Sequence, residues 1–205
     1  MDNFELEKAI SQDKIISPYF KGVLAADELM PPSQPLTTDN YYILNLDPSW
    51  EKGSHWVVVK LCPERKNEYF DSYGWDPPYK HFIDILGNNY IKNNKQLQHP
   101  FTTVCGQHCL FYIWNRCRIG LTLEEHIKLF SQKDQWYNDQ GVNEMSRILF
   151  NTNLQTVDVD FLKNQICSSL YDNKKYCIKD PDNLIDLCNK RKLSCDSPNQ
   201  PSQEN

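Results

Sequence analysis

Acyl transfer by a thiol needs four things: a cysteine that ionises, a base for its proton, a group that orients the base, and donors that face the oxyanion. Four residues in the chain, met in the order His55, Asp71, Gln98 and Cys105, have the types to supply them. Cys105 stands where a polar loop runs into an apolar stretch, Leu110, Phe111, Ile113, Trp114 and Cys117, that reads as a deeply buried helix. Gly106 follows it, so nothing bulky on the next residue crowds the sulfur. A cysteine in the first turn of a helix feels the positive end of the macrodipole, which favours the nucleophilic thiolate. Gln98 precedes it in the loop and can offer its side-chain amide; the Cys105 N–H is a second donor. Each residue also has a plainer reading: Cys105 as a small buried residue, His55 as a sheet-edge histidine bonded to a carbonyl, Asp71 as a turn residue, Gln98 as surface.

The elements that must bring these residues together are legible in outline. His55–Cys62 is the strongest strand, with three successive valines. A turn at 63–67 leads to a second strand over Glu68–Asp71, making a hairpin that returns Asp71 toward His55. Alternation puts His55, Val57, Val59 and Leu61 on one face. Antiparallel counting leaves Asp71 about two or three residues from His55, at ~3.3 Å each, so a bulge or strong twist must close the gap. Elsewhere, Asp2 caps a first helix, Ser17–Gly22 is a turn, and 31–40 is a proline-rich loop followed by a strand over Tyr41–Leu46. Tyr73–Pro78 is an aromatic loop. Pro78–Leu86 is a helix stopped by Gly87, and 88–96 is exposed. The nucleophile helix ends at Gly120. Thr122 with Glu125 is a capping box for a helix to about Phe130. Further helices are expected over 142–150, 158–170 and 181–191, and a disordered polar tail from Ser194 to Asn205. Residues 1–193 thus form one domain.

The remaining histidines rank lower. His108, one helical turn after Cys105, has no orienting acid in register and is a poor second base. His81 and His126 read as polar-face helix residues, and His99 as a loop residue. Cys105, Cys109 and His108 have metal-binding types, but no loop-supplied pair completes four ligands, so no metal site is expected.

The chain has 205 residues, 40% hydrophobic and 12% aromatic, enough for one packed core. A net charge of −5 argues against a broad nucleic-acid footprint. No apolar run reaches the ~20 residues that span a bilayer, and no secretory signal is seen, so a membrane partner is not expected. The eight cysteines form no CxxC pair and read as reduced thiols. No role is evident for Cys167, Cys177, Cys188 or Cys195.

In order and spacing these residues resemble the adenovirus endopeptidase (adenain) family and, more distantly, the SUMO- and ubiquitin-like-protein proteases. Glu5–Ile10 and Pro18–Gly22 resemble the family's N-terminal segment. Gly53-Ser54-His55-Trp56 resembles its base motif and Phe70-Asp71-Ser72-Tyr73-Gly74 its acid motif. Gln98, then Cys105-Gly106-Gln107-His108-Cys109, resembles its oxyanion and nucleophile motif. The likeness covers residues 4–118 and fades after about 120. It implies an α+β papain-like cysteine-protease fold of adenain type, a mixed sheet packed on the nucleophile helix. In that fold Cys105 is nucleophile, His55 base, Asp71 orienter and Gln98 oxyanion donor. Gly53, Trp56 and Gly106 border the substrate, and a narrow groove beside Trp56 selects glycine.

The resemblance further implies an endopeptidase that cleaves viral precursor proteins after small or glycine-containing sequences during virion maturation, in the host nucleus or cytoplasm and the virion. The chemistry needs no cofactor, but the family is activated by DNA and by a disulfide-linked peptide. This chain is acidic, has Asp71 where mammalian adenoviral members have Glu, and lacks a cysteine between Asp71 and Cys105. Either a peptide would bind non-covalently, or another thiol such as Cys62 serves, or no peptide is needed. The same four residues also fit a deubiquitinating or deSUMOylating isopeptidase. A non-catalytic virion or binding protein on a decayed protease fold is the alternative of another class.

Overall fold

The structure is a computed structural model that describes residues 1–151; the helices expected over 158–170 and 181–191 and the tail from 194 lie outside the described residues. Five strands form one sheet in the order β1-β2-β3-β4-β5: β1 (Phe20–Leu24), β2 (Asn40–Asn45), β3 (Trp56–Leu61), β4 (Glu68–Phe70) and β5 (Ile91–Lys92). The outer pairs, β1–β2 and β4–β5, are parallel and the inner pairs antiparallel. The described residues therefore form a mixed α+β fold. The turn expected at Ser17–Gly22 is present through Tyr19 and passes into β1 from Phe20, and β5 replaces part of the exposed segment expected at 88–96. Both strands are short and pair with strands remote in sequence, so neither carries a local pattern long enough to read.

Every residue of β3 is buried, as befits a central strand clothed on both faces. Trp56 and Val58 face a core built with α1 (Asn3–Ser11) and α3 (Cys105–Trp114). Val57, Val59 and Leu61 face a second cluster with Phe82 and Leu86 of α2 (Lys80–Leu86). Three of the four residues expected on one face do share it; His55 precedes the strand.

The helices start where their caps direct. Asp2 accepts from the Glu5 N–H at 2.8 Å while Glu5 returns to the Asp2 N–H at 3.0 Å. The Thr122–Glu125 box likewise opens α4 (Leu123–Lys128). Helix α3 widens into a π turn over Asn115–Ile119 and stops at Gly120, whose φ of 72° suits glycine. Helix α5 spans Gln135–Asn151, starting well before the expected 142. Its first turn is capped by Asp134, which accepts from the Tyr137 N–H, and carries too little apolar periodicity to be seen. No helix among the described residues is long and apolar enough to cross a membrane.

A chain of buried charges ties the far end of α3 to the sheet. Lys60 of β3 is paired with Asp39 at 2.9 Å and Glu68 at 3.2 Å. Glu68 also accepts from the Tyr112 hydroxyl at 2.6 Å and pairs with Arg116. Removing one partner of a buried pair strands the other charge and costs about 3–5 kcal/mol. Glu68→Gln, which leaves Arg116 without a counter-charge, is expected to lower the urea unfolding free energy by about that amount. A loss under ~1 kcal/mol, the size of a surface pair, would show that this chain of charges does not anchor α3.

Candidate active site

The β3–β4 ladder pairs Val58 with Phe70, Val59 with Tyr69 and Lys60 with Glu68. Continued by one step, this register sets Asp71 opposite Val57 and leaves His55 two residues further on. The gap foreseen from counting is real, and it closes because the ladder ends at Phe70. Asp71 there opens a turn, with the Gly74 N–H donating to its carbonyl and the Tyr73 N–H to its Oδ1, both at 2.8 Å. Freed from the strand, the carboxylate meets His55 Nε2 at 2.8 Å. Asn93 holds the Asp71 backbone from the other side: its Oδ1 accepts from the Asp71 N–H at 2.9 Å and its Nδ2 donates to the Asp71 carbonyl. Asn93 is fully buried although its surroundings read as exposed. A lone Asn in an Asn- and Lys-rich stretch gives no sign of this.

Cys105 is the first residue of α3, and it is hydrogen-bonded to His55. With Nε2 given to Asp71, Nδ1 is the ring nitrogen left for the thiol. Burial raises the Cys105 pKa, but the His55 hydrogen bond and charge and the N–H groups of Trp56 and Gly106 outweigh it and hold the thiol below its ordinary value. For His55, burial disfavours the imidazolium. The Asp71 and Cys105 hydrogen bonds and both negative charges overcome that and push it up to about 9. The two shifts favour a thiolate–imidazolium pair.

Gln98 is fully buried at the start of the loop leading to Cys105. Its Oε1 accepts from the Ser72 hydroxyl at 2.6 Å, and its Nε2 donates to the Thr102 carbonyl at 3.0 Å and the Tyr73 hydroxyl at 3.2 Å. Both amide hydrogens are thus engaged within the protein. Trp56 is buried in the core beside Cys105, and Gly106 is packed under it: a Cβ there would lie 3.2 Å from Leu6 and 3.6 Å from Trp56. Gly53 lies against the Asn45 side chain, which a Cβ would overlap.

Two histidines differ from expectation. His108 does have an acid: its Nε2 lies 2.8 Å from Asp139 Oδ1 on α5, an element too remote in sequence for helical register to reveal. Asp139 Oδ2 also accepts from the His99 N–H and the Thr102 hydroxyl, so it braces the loop before Cys105. His126 is fully buried rather than on a polar face. Burial and the nearby His108 and Arg116 hold its pKa well below the ordinary value. Among the described residues no group of three or more His, Cys, Asp and Glu is placed to hold a metal ion.

Aromatic rings rim the histidine. The Tyr73 ring lies 4.9 Å from His55, and Trp75, largely exposed, stacks on Tyr73 at 4.7 Å. His99, Phe101 and Trp136 form a second group along the loop before Cys105.

No protein-family model matches the chain. No curated protein matches it either. Among solved structures it is similar to the crystal structure of the selenomethionine ASFV pS273R protease, with a TM-score of 0.46 and 18% identity. The match covers 67% of this chain and 65% of that protease, so it spans less than two thirds of the protease's length.

The turn carrying Asp71 and Tyr73 depends on Gly74. Its φ is +74°, and a Cβ there would sit 2.8 Å from the Lys95 backbone, which cannot swing away as a side chain can. Gly74→Ala is expected to cost about 1–3 kcal/mol in urea unfolding and to slow alkylation of Cys105, because His55 is held through this turn. Wild-type stability together with wild-type alkylation would contradict that dependence.

Proposed function

We propose that this chain is a cysteine endopeptidase of adenain type on a papain-like fold. The observation that carries this reading is the single hydrogen-bonded line Asp71–His55–Cys105, ending on a thiol at the first residue of a buried helix with its ionised form favoured. Cys105 thiolate attacks the scissile carbonyl, forming the S–C bond, while the carbonyl electrons move to oxygen. The Cys105 N–H, at the start of α3, is a backbone donor for that oxyanion. As the C–N bond breaks, His55 Nδ1 gives its proton to the leaving amine. Neutral His55 then takes a proton from water, whose oxygen attacks the thioester, and the thiolate leaves. Asp71 holds the ring and its tautomer throughout, as an orienting carboxylate does. Thiolate, imidazolium and carboxylate supply the chemistry, so no metal or organic cofactor is required.

The proposed substrates are viral precursor polypeptides, cleaved after small, glycine-containing sequences. A narrow groove beside Trp56, as the family resemblance implies, would exclude side chains near the scissile bond and so select glycine. The acidic charge favours a peptide over DNA as any activator.

A peptide electrophile ending in Gly-Gly, followed by mass-spectrometric mapping, tests the reading. Labelling confined to Cys105 and lost in His55→Ala is expected. Labelling scattered over several thiols and indifferent to His55 would point instead to a non-catalytic binding protein. Cys105→Ala should abolish hydrolysis, whereas Asp71→Asn should leave a residual rate, since an orienter is less critical than the nucleophile.

The pH profile follows from the two shifts. Hydrolysis should rise as Cys105 ionises, below the ordinary thiol range, and fall as His55 loses its proton near pH 9. In His55→Ala, burial is left to dominate the thiol, so the onset of Cys105 alkylation should move to higher pH. An onset unchanged by this substitution would remove His55 as the source of thiolate character.

A further inference from the structure

Gln98 is the residue expected to bind the oxyanion, yet its two amide hydrogens are already donated. The orientation of the amide is unambiguous. The Thr102 carbonyl can only accept, so the nitrogen faces it, and the oxygen faces the Ser72 hydroxyl at 2.6 Å. The amide also donates to the Tyr73 hydroxyl at 3.2 Å, while the Thr102 hydroxyl, at 3.3 Å, lies on the same side as the Thr102 carbonyl. An amide nitrogen accepts nothing, so Tyr73 must be the acceptor in that bond. Its own O–H hydrogen therefore remains to be donated, and among the described residues it has no acceptor. The backbone pins this hydroxyl in place: the Tyr73 N–H donates to Asp71 Oδ1 at 2.8 Å, and the ring lies 4.9 Å from His55 at a 32° tilt. Tyr73 thus touches the base, the orienter and the expected oxyanion residue.

We propose that the Tyr73 hydroxyl is a direct oxyanion donor of the protease, with Gln98 acting as the positioning residue that aims it. The inference rests on the protease reading above. Gln98, donating to the phenol oxygen, also polarises its O–H and strengthens it as a donor. Preorganised donors of this kind contribute because they need not reorient when charge appears on the carbonyl oxygen. The phenol is coupled electrostatically to the site: burial, then the negative charge of Cys105, raise its pKa. It consequently stays protonated as pH approaches the point where His55 loses its proton. The thiolate that raises it is the atom whose attack generates the oxyanion.

The two assignments predict opposite outcomes for one substitution. Tyr73→Phe keeps the ring against His55 and releases the Gln98 hydrogen it had engaged. If Tyr73 is the donor, kcat for the p-nitrophenyl ester of N-acetylglycylglycine should fall on the order of 100-fold, with KM changed by less than about threefold. Alkylation of Cys105 by iodoacetamide, which forms no oxyanion, should keep its wild-type rate and pH profile. A kcat that is unchanged or higher would overturn the proposal and return the role to the freed Gln98 amide. An equal fall in hydrolysis and in alkylation would also overturn it, making Tyr73 a support for the His55 ring. A wild-type protein whose Cys105 alkylates no faster than Cys62 would overturn the protease reading itself, and Tyr73 as donor with it.

Discussion

A thiolate cannot be buried unless positive charge is brought to it, and α3 displays both outcomes one turn apart. Cys109 and Cys105 are both buried on the same helix. At Cys109, burial and the neighbouring Cys105 push the thiol well above its ordinary value. At Cys105 burial acts in the same direction, but His55 and two backbone N–H groups reverse the result. The helix N-terminus favours Cys105 over Cys109, because its field decays within the first turn, and the His55 hydrogen bond and charge are the larger share of the difference. The imidazolium is in turn held in the core by the Asp71 carboxylate at its other nitrogen and by Cys105 itself. Everything else in the site can be understood as holding those three groups in line.

Holding them is demanding because they come from three separate elements: the start of β3, the end of β4 and the start of α3. Helix α3 is fixed at both ends by different means. At the N-terminal end, Gly106 lets Leu6 of α1 and the Trp56 ring approach closely. At the C-terminal end, Glu68 gathers Lys60, Tyr112 and Arg116 into one buried set of charges. A buried set like this adds little net stability over apolar packing, but it tolerates only one arrangement. For a site whose function depends on a hydrogen bond across elements, that restriction matters more than the stability.

What could be read in the sequence, and what could not, follows the range of the interactions involved. The valine run of β3, the capping boxes at Asp2 and Thr122 and the glycine stop at Gly120 are local signals, and the elements lie close to where those signals place them. His55, Asp71 and Cys105 stood out by chemical type and order along the chain, and the fold brings these three together. Counting along the hairpin also exposed the correct difficulty, a two-residue offset. It could not show that ending the ladder at Phe70 would free Asp71 to cross it. Asn93, Tyr73 and Asp139 were missed for a common reason: each acts through contacts with residues distant in the chain or through the orientation of a backbone turn. Nothing in the type of an asparagine within a polar segment distinguishes one that clamps Asp71 from one that faces water.

The two His–Asp pairs show why geometry within a pair does not define its role. His55–Asp71 and His108–Asp139 have the same 2.8 Å contact through Nε2, and both lie within one small domain around Cys105. The distinction lies in the remaining nitrogen and the remaining carboxylate oxygen. His55 presents Nδ1 to a thiol, whereas His108 Nδ1 has no hydrogen-bond partner among the described residues and its ring packs on Phe130. Asp139 uses its second oxygen to hold the His99 N–H and the Thr102 hydroxyl, and Thr102 in turn receives Gln98. The second pair is therefore a strut between α3 and α5 that stiffens the loop before the nucleophile. The same pair chemistry faces a thiol in one place and braces a loop in the other, because only one of the two imidazoles has a thiol at its remaining nitrogen.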